Sequence, residues 1–391
     1  MNEWKTYKLG DICKRVCSGG TPKSTEPSYY DGDIPWLNTK EVNFNRIYAT
    51  EKYISQLGLD NSSAKWIDAN CVIVAMYGAT AAKVAINTIP LTTNQACCNL
   101  CIDESKADFR FVYYWLYANY TQLASLANGG AQQNLNAQQI KDFGIKLPDL
   151  PIQRKIADIL WSIDDKINCN NSINDNLEQQ AQALFEESFI NNSTFIATCN
   201  KAYLTDIASY LNGLAMQKFR PKEGEIGIPV LKIKELGQGG CDASSDLCSS
   251  SIDKRYVIND GDIIFSWSGT LLVDVWCGGT CGLNQHLFKV SSDKYPQWFI
   301  YYWTKYHLAK FIRIAKDKAV TMGHIKRGDL EVSEVLIPES SDLEKLNNMI
   351  APIFKAITAN RIENRNLATL RDSLLPKLMS GELSVDDVLV D

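Results

Sequence analysis

With 391 residues, 45% of them apolar and 22% charged, the chain has ordinary globular usage and length for two or three domains. Its N-terminus, MNEWKTYKLG, has no apolar signal region, and no apolar run approaches bilayer length, so a cytoplasmic protein without membrane contact is expected. The net charge of −5 argues against a nucleic-acid partner until it is divided: residues 151–189 hold three basic and seven acidic groups and residues 339–391 hold six and nine, leaving the rest of the chain at +2.

The first segment with character is Ser18-Gly19-Gly20-Thr21-Pro22-Lys23. It resembles a phosphate cradle, but GxxxxGK[ST] is absent and a turn is the better reading. Cys71 to Met76 reads as a buried strand after a polar turn, and FVYYWLYANY from Phe111 as an aromatic helix. The aromatic stripe suits a packed core face better than a stacking platform for bases. From Gly129, GGAQQNLNAQQIK offers Gln132, Gln133, Asn134, Asn136 and Gln138, amides able to pair with adenine edges in a major groove, or to form a polar loop or cap.

From Pro151 to Phe189 no proline or glycine interrupts the chain, which predicts one helix of about 39 residues and about 58 Å. Ile156, Ile163, Asn170, Leu177 and Leu184 fall seven apart, with Leu160, Ile167 and Ala181 beside them, a seam at coiled-coil spacing. Shifted by 190, the seam returns as Leu346, Ile353, Asn360, Leu367 and Leu374, with Ile350, Ile357 and Leu378. Asparagine interrupts both copies at the same step, so Asn170 and Asn360 are expected to face each other as a register device, or else to be tolerated polar residues. Pro352 is expected to kink the second helix and Pro376 to end it.

The duplication extends beyond the helices. Ile145-Lys146-Leu147-Pro148 matches Val335-Leu336-Ile337-Pro338, KWIDANCVIVAMYGAT from Lys65 matches RYVINDGDIIFSWSGT from Arg255, and Asn94-Gln95 matches Asn284-Gln285, all at 190. IPWLNTKEV from Ile34 matches IPVLKIKEL from Ile228 at 194. Each half is therefore a domain of about 150 residues followed by a long helix. The expected fold is a duplicated pair of mixed α/β domains mounted on a long antiparallel two-helix coiled coil, a pseudo-twofold arrangement. The divisions fall at 1–148, 149–191, 192–338 and 339–391.

Catalytic constellations are not found. The three histidines, His286, His307 and His324, all lie in the second half, so no histidine mechanism serves both domains, and no GxGxxG lies between strand and helix. Twelve cysteines are thinly spread; Cys97, Cys98 and Cys101, and Cys277 with Cys281, come nearest to metal spacing but lack mates in the other half, so reduced, mostly buried thiols are expected and no metal. Binding fares better. Between Lys305 and Arg327, Lys305, Lys310, Arg313, Lys316, Lys318, Lys326 and Arg327 stand against Asp317 alone, with Thr321 and His324 interleaved, a run able to neutralise phosphates or to form a solvated helix face.

LPDLPIQRKIADILWSIDDKI from Leu147, NLEQQAQALFEESF from Asn176 and LLPKLMSGEL from Leu374 resemble the helices of type I restriction-modification specificity subunits, and the resemblance covers nearly the whole chain. The second helix departs at its start, where Pro338-Glu339-Ser340-Ser341-Asp342-Leu343 replaces the family's proline-rich entry with its glutamine. The resemblance implies a DNA-reading subunit without catalysis of its own. Two target-recognition domains would each read one half of a bipartite target in double-stranded DNA, while spacer helices set the gap and dock two methyltransferase subunits. Restriction-translocase subunits complete such complexes, and S-adenosylmethionine, ATP and magnesium belong to the partners. The candidate DNA contacts are Thr21, Lys23, Tyr77, Thr80, Lys83, Asn94, Gln95, Gln132, Gln133 and Asn134 in the first domain. In the second they are Lys218, Arg220, Lys232, Lys234, Trp267, Thr270, Asn284, Gln285, Lys316, Lys318, Thr321, His324, Lys326 and Arg327. The alternatives are a scaffold with duplicated protein-binding domains, or the specificity module of a fused restriction-methylation enzyme.

Overall fold

The computed structural model describes residues 4–127, 134–317 and 323–385, and the chain divides into two compact units, Met1–Asp165 with Thr369–Asp391, and Lys166–Ala368. In the first unit the strands are β1 (Lys5–Lys8), β2 (Cys13–Ser18), β3 (Tyr30–Leu37), β4 (Asn45–Ile47), β5 (Lys52–Ile54), β6 (Trp66–Ile67), β7 (Val72–Ala75), β8 (Val84–Asn87), β9 (Leu91–Thr93), β10 (Cys97–Ile102) and β11 (Gly144–Leu147). They form a sheet of order β2-β10-β7-β8-β4, a second of order β5-β3-β9-β6, and an antiparallel pair β1-β11.

The second unit repeats this plan with β12 (Asn200–Tyr203), β13 (Ser209–Asn212), β14 (Ile228–Leu231), β15 (Leu247–Cys248), β16 (Val257–Ile258), β17 (Ile263–Ser266), β18 (Leu272–Val275), β19 (Cys281–Leu283), β20 (Leu287–Ser291) and β21 (Glu334–Ile337). Their orders, β13-β20-β17-β18, β15-β14-β19-β16 and β12-β21, are those of the first unit without the β4 edge. The registers agree as well: Ser18 opposes Cys98 as Asn212 opposes Phe288, and Leu37 pairs parallel with Thr93 as Leu231 does with Leu283.

The apolar run in the middle of each domain is continuous because both faces of its sheet are covered. Val72, Val74, Val84, Ile86, Cys98 and Leu100 face the aromatic helix Phe109–Ala118, whereas Ile73, Ala75, Ala85, Cys97 and Cys101 face the second sheet. Phe111 to Leu116 are all buried, and in the second unit so are Phe299 to Trp303 on the helix Gln297–Asp317, so these aromatic residues are core. Cys71 and Cys101 stand opposite each other with Cα atoms 4.4 Å apart and are joined in a disulfide, correcting the expectation of reduced thiols throughout. The antiparallel pairing of β7 with β10 places them there. The other ten cysteines are free, and among the described residues no three His, Cys, Asp or Glu side chains could hold a metal ion. No helix of the described residues is long and apolar enough to cross a membrane.

The first long helix runs Leu150–Glu186, and a π-helical turn, Glu187–Asn191, follows it. The second runs Ser340–Ser380, through both prolines, so Pro376 does not end it. A proline inside a helix costs about 3 kcal/mol, but burial contributes about 1.5–3 kcal/mol per large apolar side chain, and Leu375, Leu378 and Met379 around Pro376 are all buried. The helix stops instead at Gly381, whose φ of +74° is the left-handed conformation that closes helix C-termini. Trp4 lies against this glycine, so within the first unit the two ends of the described chain meet.

The two long helices contact each other antiparallel inside the second unit. Asn170 Nδ2 donates to Asn364 Oδ1 and to Glu363 Oε2, both at 2.8 Å, and Asn360 Nδ2 donates to Asn174 Oδ1 at 2.9 Å. Asn170 and Asn360 therefore do not bond to each other, as the sequence suggested; each meets the asparagine four residues beyond the other. The two contacts exchange under the 190-residue shift, which takes Asn170 to Asn360 and Asn174 to Asn364. In an antiparallel pair, one helix's first seam position lies against the other's second, which is why the partner is a turn away.

Candidate nucleic-acid interface

In the first unit the turn after β2 is fastened from beneath. Gly20 N–H donates to the Thr93 carbonyl at 2.9 Å, and the Trp36 indole donates to the Gly20 carbonyl at the same distance. Gly19 lies so close to β9 that a Cβ would fall 1.9 Å from the Thr93 oxygen, so only glycine fits. The Tyr30 hydroxyl then holds the Pro22 carbonyl at 2.7 Å. These anchors leave Thr21 and Lys23 exposed, with the Thr21 hydroxyl bonded to the Gln95 side chain.

Asn94, by contrast, is buried and shapes the turn that presents Gln95: its Oδ1 accepts from the Ala96 N–H at 3.1 Å and from the Cys97 thiol at 3.3 Å. Tyr77 is exposed and forms an antiparallel bridge with the exposed Asn134. Thr80 and Lys83 are engaged inside the domain. The Thr80 hydroxyl donates to the Thr39 carbonyl at 3.0 Å, and the Lys83 ammonium reaches Asn43 Oδ1 at 2.6 Å while lying 5.9 Å from the Phe44 ring centre. Gln132 and Gln133 lie outside the described residues.

In the second unit, Gly213 and Leu214 occupy the places of Gly19 and Gly20: Leu214 N–H donates to the Leu283 carbonyl at 3.0 Å, and a Cβ on Gly213 would meet the Asn284 oxygen at 2.2 Å. Asn284 is buried like Asn94, its Oδ1 accepting from the His286 N–H at 3.3 Å. Arg220, Lys232 and Asn284 line one hollow of about 440 Å³ with Met216, Gln217 and Val230. Lys232 pairs with Asp246, and Lys234 reaches Ser244 at 2.9 Å and Asp242 at 3.6 Å, so both lysines are already partnered. Lys218 is exposed on the turn before this hollow.

A second hollow, of about 730 Å³, collects Trp267, His324, Lys326 and Arg327 with Tyr210, Asn212 and Phe288. Trp267 Nε1 donates to Asn212 Oδ1 at 3.0 Å, and its ring centre stands 6.0 Å from His286 and 6.2 Å from His324. Gln285 adjoins this group, its Nε2 lying 3.3 Å from the His286 ring nitrogen. Thr270 and Lys316 share a separate, mostly apolar hollow of about 320 Å³ with Ile312 and Ala315. The basic run is not one surface. Lys305 lies 5.4 Å from the Tyr301 ring centre, Lys310 donates to Ser333 at 3.3 Å, and Arg327 stands 3.7 Å from Glu331, while Arg313 and Lys316 remain exposed. Lys318 and Thr321 lie outside the described residues.

Strand pairing also corrects an equivalence. Leu135 N–H donates to the Met76 carbonyl and Ile325 N–H to that of Trp267, and Ser268 bridges His324 as Tyr77 bridges Asn134. Trp267 thus takes the place of Met76, and Ser268 that of Tyr77, one residue off the constant shift. Sequence reasoning missed Asn212 and His286, which hold and flank Trp267, and the seam asparagines Asn174 and Asn364. Asn174 and Asn364 were visible as a further match at 190; Asn212 and His286 carried no such signal.

The family model of the type I restriction modification DNA specificity domain matches residues 1–179. The chain is 28% identical to the MjaIX specificity subunit of Methanocaldococcus jannaschii, over 99% of this chain and 95% of that one. It is 19% identical to the HindI specificity subunit of Haemophilus influenzae, over 98% and 100%. Among solved structures, the crystal structure of a type I restriction-modification system S subunit from M. genitalium shares the fold, with a TM-score of 0.64 at 16% identity and 96% of both chains covered.

Proposed function

We propose that this chain, a DNA specificity subunit of the type I restriction-modification kind that performs no chemistry itself, reads a bipartite target with one half assigned to each domain. The observation that carries the reading is the repeated topology. In both units a turn fastened by a close-approach glycine, an Asn-Gln turn and a short bridge accompany one another, but their side chains differ. Amide and hydroxyl groups predominate in the first unit, and indole, imidazole and cationic groups in the second. Phosphate contacts from lysine and arginine position such a protein, and side chains at base edges specify the sequence. Different side chains on one scaffold suit two different half-targets.

The long helices are the spacer elements and the docking surface for two methyltransferase subunits, with restriction-translocase subunits joining them. S-adenosylmethionine, ATP and magnesium act on those partners. The domain limits are 1–148, 149–191, 192–338 and 339–391, and the place of work is the cytoplasm. With its basic groups few and local, the chain alone should bind DNA weakly, and sequence-specific binding should appear with the methyltransferase.

Two measurements test this. Gel shift at stated salt, with and without the methyltransferase, should show specific binding only in its presence; a complex that retards no DNA selectively supports a protein scaffold instead. Replacing residues 1–148 with the equivalent domain of a relative should change one half of the methylated sequence. Methylome sequencing that finds both halves changed would refute the division of labour.

A further inference from the structure

We propose that Ile226, carried on a fastened loop of the second unit, is an apolar wedge that enters the DNA duplex between two base pairs of that unit's half-target, with Lys218, Arg220 and Lys222 on the phosphates around it. This role rests on the DNA-reading function above and adds to it a distortion of the DNA that only one of the two readers imposes.

Ile226 is 89% exposed, more than any other large apolar side chain among the described residues. Exposure of that degree ordinarily marks a loose loop, but this one is held at its base and at its tip. At the base, Gly227 lies so close to Pro221 and to β15 that a Cβ would fall 2.5 Å from the proline ring and 2.9 Å from the Cys248 carbonyl oxygen, so only glycine fits. At the tip, Glu225 N–H donates to the Lys222 carbonyl at 3.0 Å around Gly224, whose φ of +79° suits the turn. The Glu225 carboxylate in turn accepts from the Lys222 N–H at 3.0 Å and from the Ser249 hydroxyl at 2.6 Å. Just before the loop, Ser249 N–H donates to the Phe219 carbonyl at 2.7 Å. The backbone therefore holds Ile226 out in water, and an apolar side chain presented rigidly can insert without a further loss of loop entropy.

The surroundings select nucleic acid as the occupant. Lys218, Arg220 and Lys222 are exposed on the same loop, and of its two acids Glu225 is turned to Ser249 and Ser250, which leaves Glu223 alone against them. Proteins that kink DNA push Ile, Leu, Phe, Met or Pro between base steps, while cations nearby neutralise the phosphates. The first unit lacks this device. At the offset of 194 that matches IPWLNTKEV with IPVLKIKEL, Gly32 stands where Ile226 does, and the stretch leading to it, STEPSYYDGD from Ser24, carries Glu26, Asp31 and Asp33 and no cation. One loop position therefore pushes into the duplex in one half-target and not in the other.

The test uses the purified complex of the full chain with its methyltransferase partner, and the bipartite target is first found by selection from randomised duplexes. Binding of wild type, I226A and I226L is then compared on the intact target and on duplexes carrying a single mismatched pair, moved step by step through each half. On the intact target I226A should bind about tenfold or more weakly, because the wedge no longer offsets the unstacking of its step, and I226L, which keeps the apolar bulk, should bind like wild type. A mismatch is already unstacked, so at one step of the second half-target the gap between I226A and wild type should close, and at no step of the first. I226A should also keep the wild-type slope of log affinity against log salt, whereas K222A should lower that slope by about one. An I226A complex that binds like wild type, or a loss that no mismatch relieves, overturns the wedge. Failure of I226A to join the methyltransferase overturns it too and marks Ile226 as a protein contact, and a K222A slope equal to wild type overturns the phosphate contact. A wild-type complex that selects no bipartite sequence overturns the DNA-reading function instead.

Discussion

Asparagine in an apolar seam costs stability unless its amide is met, and here four of them meet one another. Asn170 and Asn174 are buried, and their bonds to Asn364 and Asn360 satisfy groups that no water reaches freely. Replacing Asn170 alone with leucine would take the donor from Asn364 Oδ1, although Asn364 Nδ2 still donates to Asn171 at 2.8 Å, and would lose the bond to Glu363, a loss of about 1–3 kcal/mol. Replacing all four with leucine should raise stability while freeing the register, since an apolar seam does not distinguish one layer from the next. Chemical unfolding of the two variants checks the opposite signs; a stabilising single substitution would contradict the pairing. At the other polar cluster, Glu225 accepts from the Ser249 hydroxyl at 2.6 Å, and from the Ser250 N–H at 2.8 Å and hydroxyl at 3.0 Å. These bonds, the Ser249 hydroxyl foremost, hold its carboxyl down at about 2 from an ordinary 4.5. A depressed folded value stabilises above the unfolded one, so this tie is intact at neutral pH and is lost as pH falls from about 4.5 toward 2. Hydrogen exchange at the Ser250 amide should quicken over that window, and E225Q should quicken it already at pH 7.

The long helices were legible in the sequence because a seven-residue seam over five repeats has no other reading. The end of the second was not. Pro376 looked like a stop since local chemistry says so, but burial of the residues around it outweighs the lost hydrogen bond, and only the folded core supplies that term. The partner of Asn170 was misjudged for a related reason: periodicity places a residue on a seam, whereas the layer it faces depends on how the helices are staggered. The one-residue offset that puts Trp267 where Met76 stands was hidden as well, because similar apolar letters fit a strand in either alignment while strand pairing admits one. Of the candidate interface, the turns and the repeated Asn-Gln pairs could be read as sequence features, but neither the burial of Asn94 and Asn284 nor the partnered state of Lys83, Lys232 and Lys234 could, as both depend on contacts across the fold. If the helices are spacers, removing one heptad from each, about 10 Å of helix, should shorten the gap between half-targets by about three base pairs at about 3.4 Å each. Methylome sequencing should find the bases unchanged; a rewritten half-target with the original gap would sink the spacer role.

At the scale of the whole molecule, the first unit is built from both ends of the chain. Leu375, Leu378, Met379 and Val385 belong to the same core as Phe111, Ile156 and Leu160, and Arg371 joins Asp164 at 2.8 Å between side chains that are both largely buried. Truncation after Ala368 should therefore damage the first unit, although its sheets lie far away in sequence, and spare the second. Limited proteolysis with fragments identified by mass should show cleavage appearing within residues 4–147 while residues 200–337 stay protected; equal protection of both would argue against the shared core. The same feature sets a clock on biosynthesis. A ribosome adding about 5–20 residues per second needs about 10–40 s to pass from Asp165 to Thr369, and through that interval the first reader waits with part of its core uncovered while the second can close. The domain made first is thus finished last, and it is the one that nascent-chain chaperones have reason to hold.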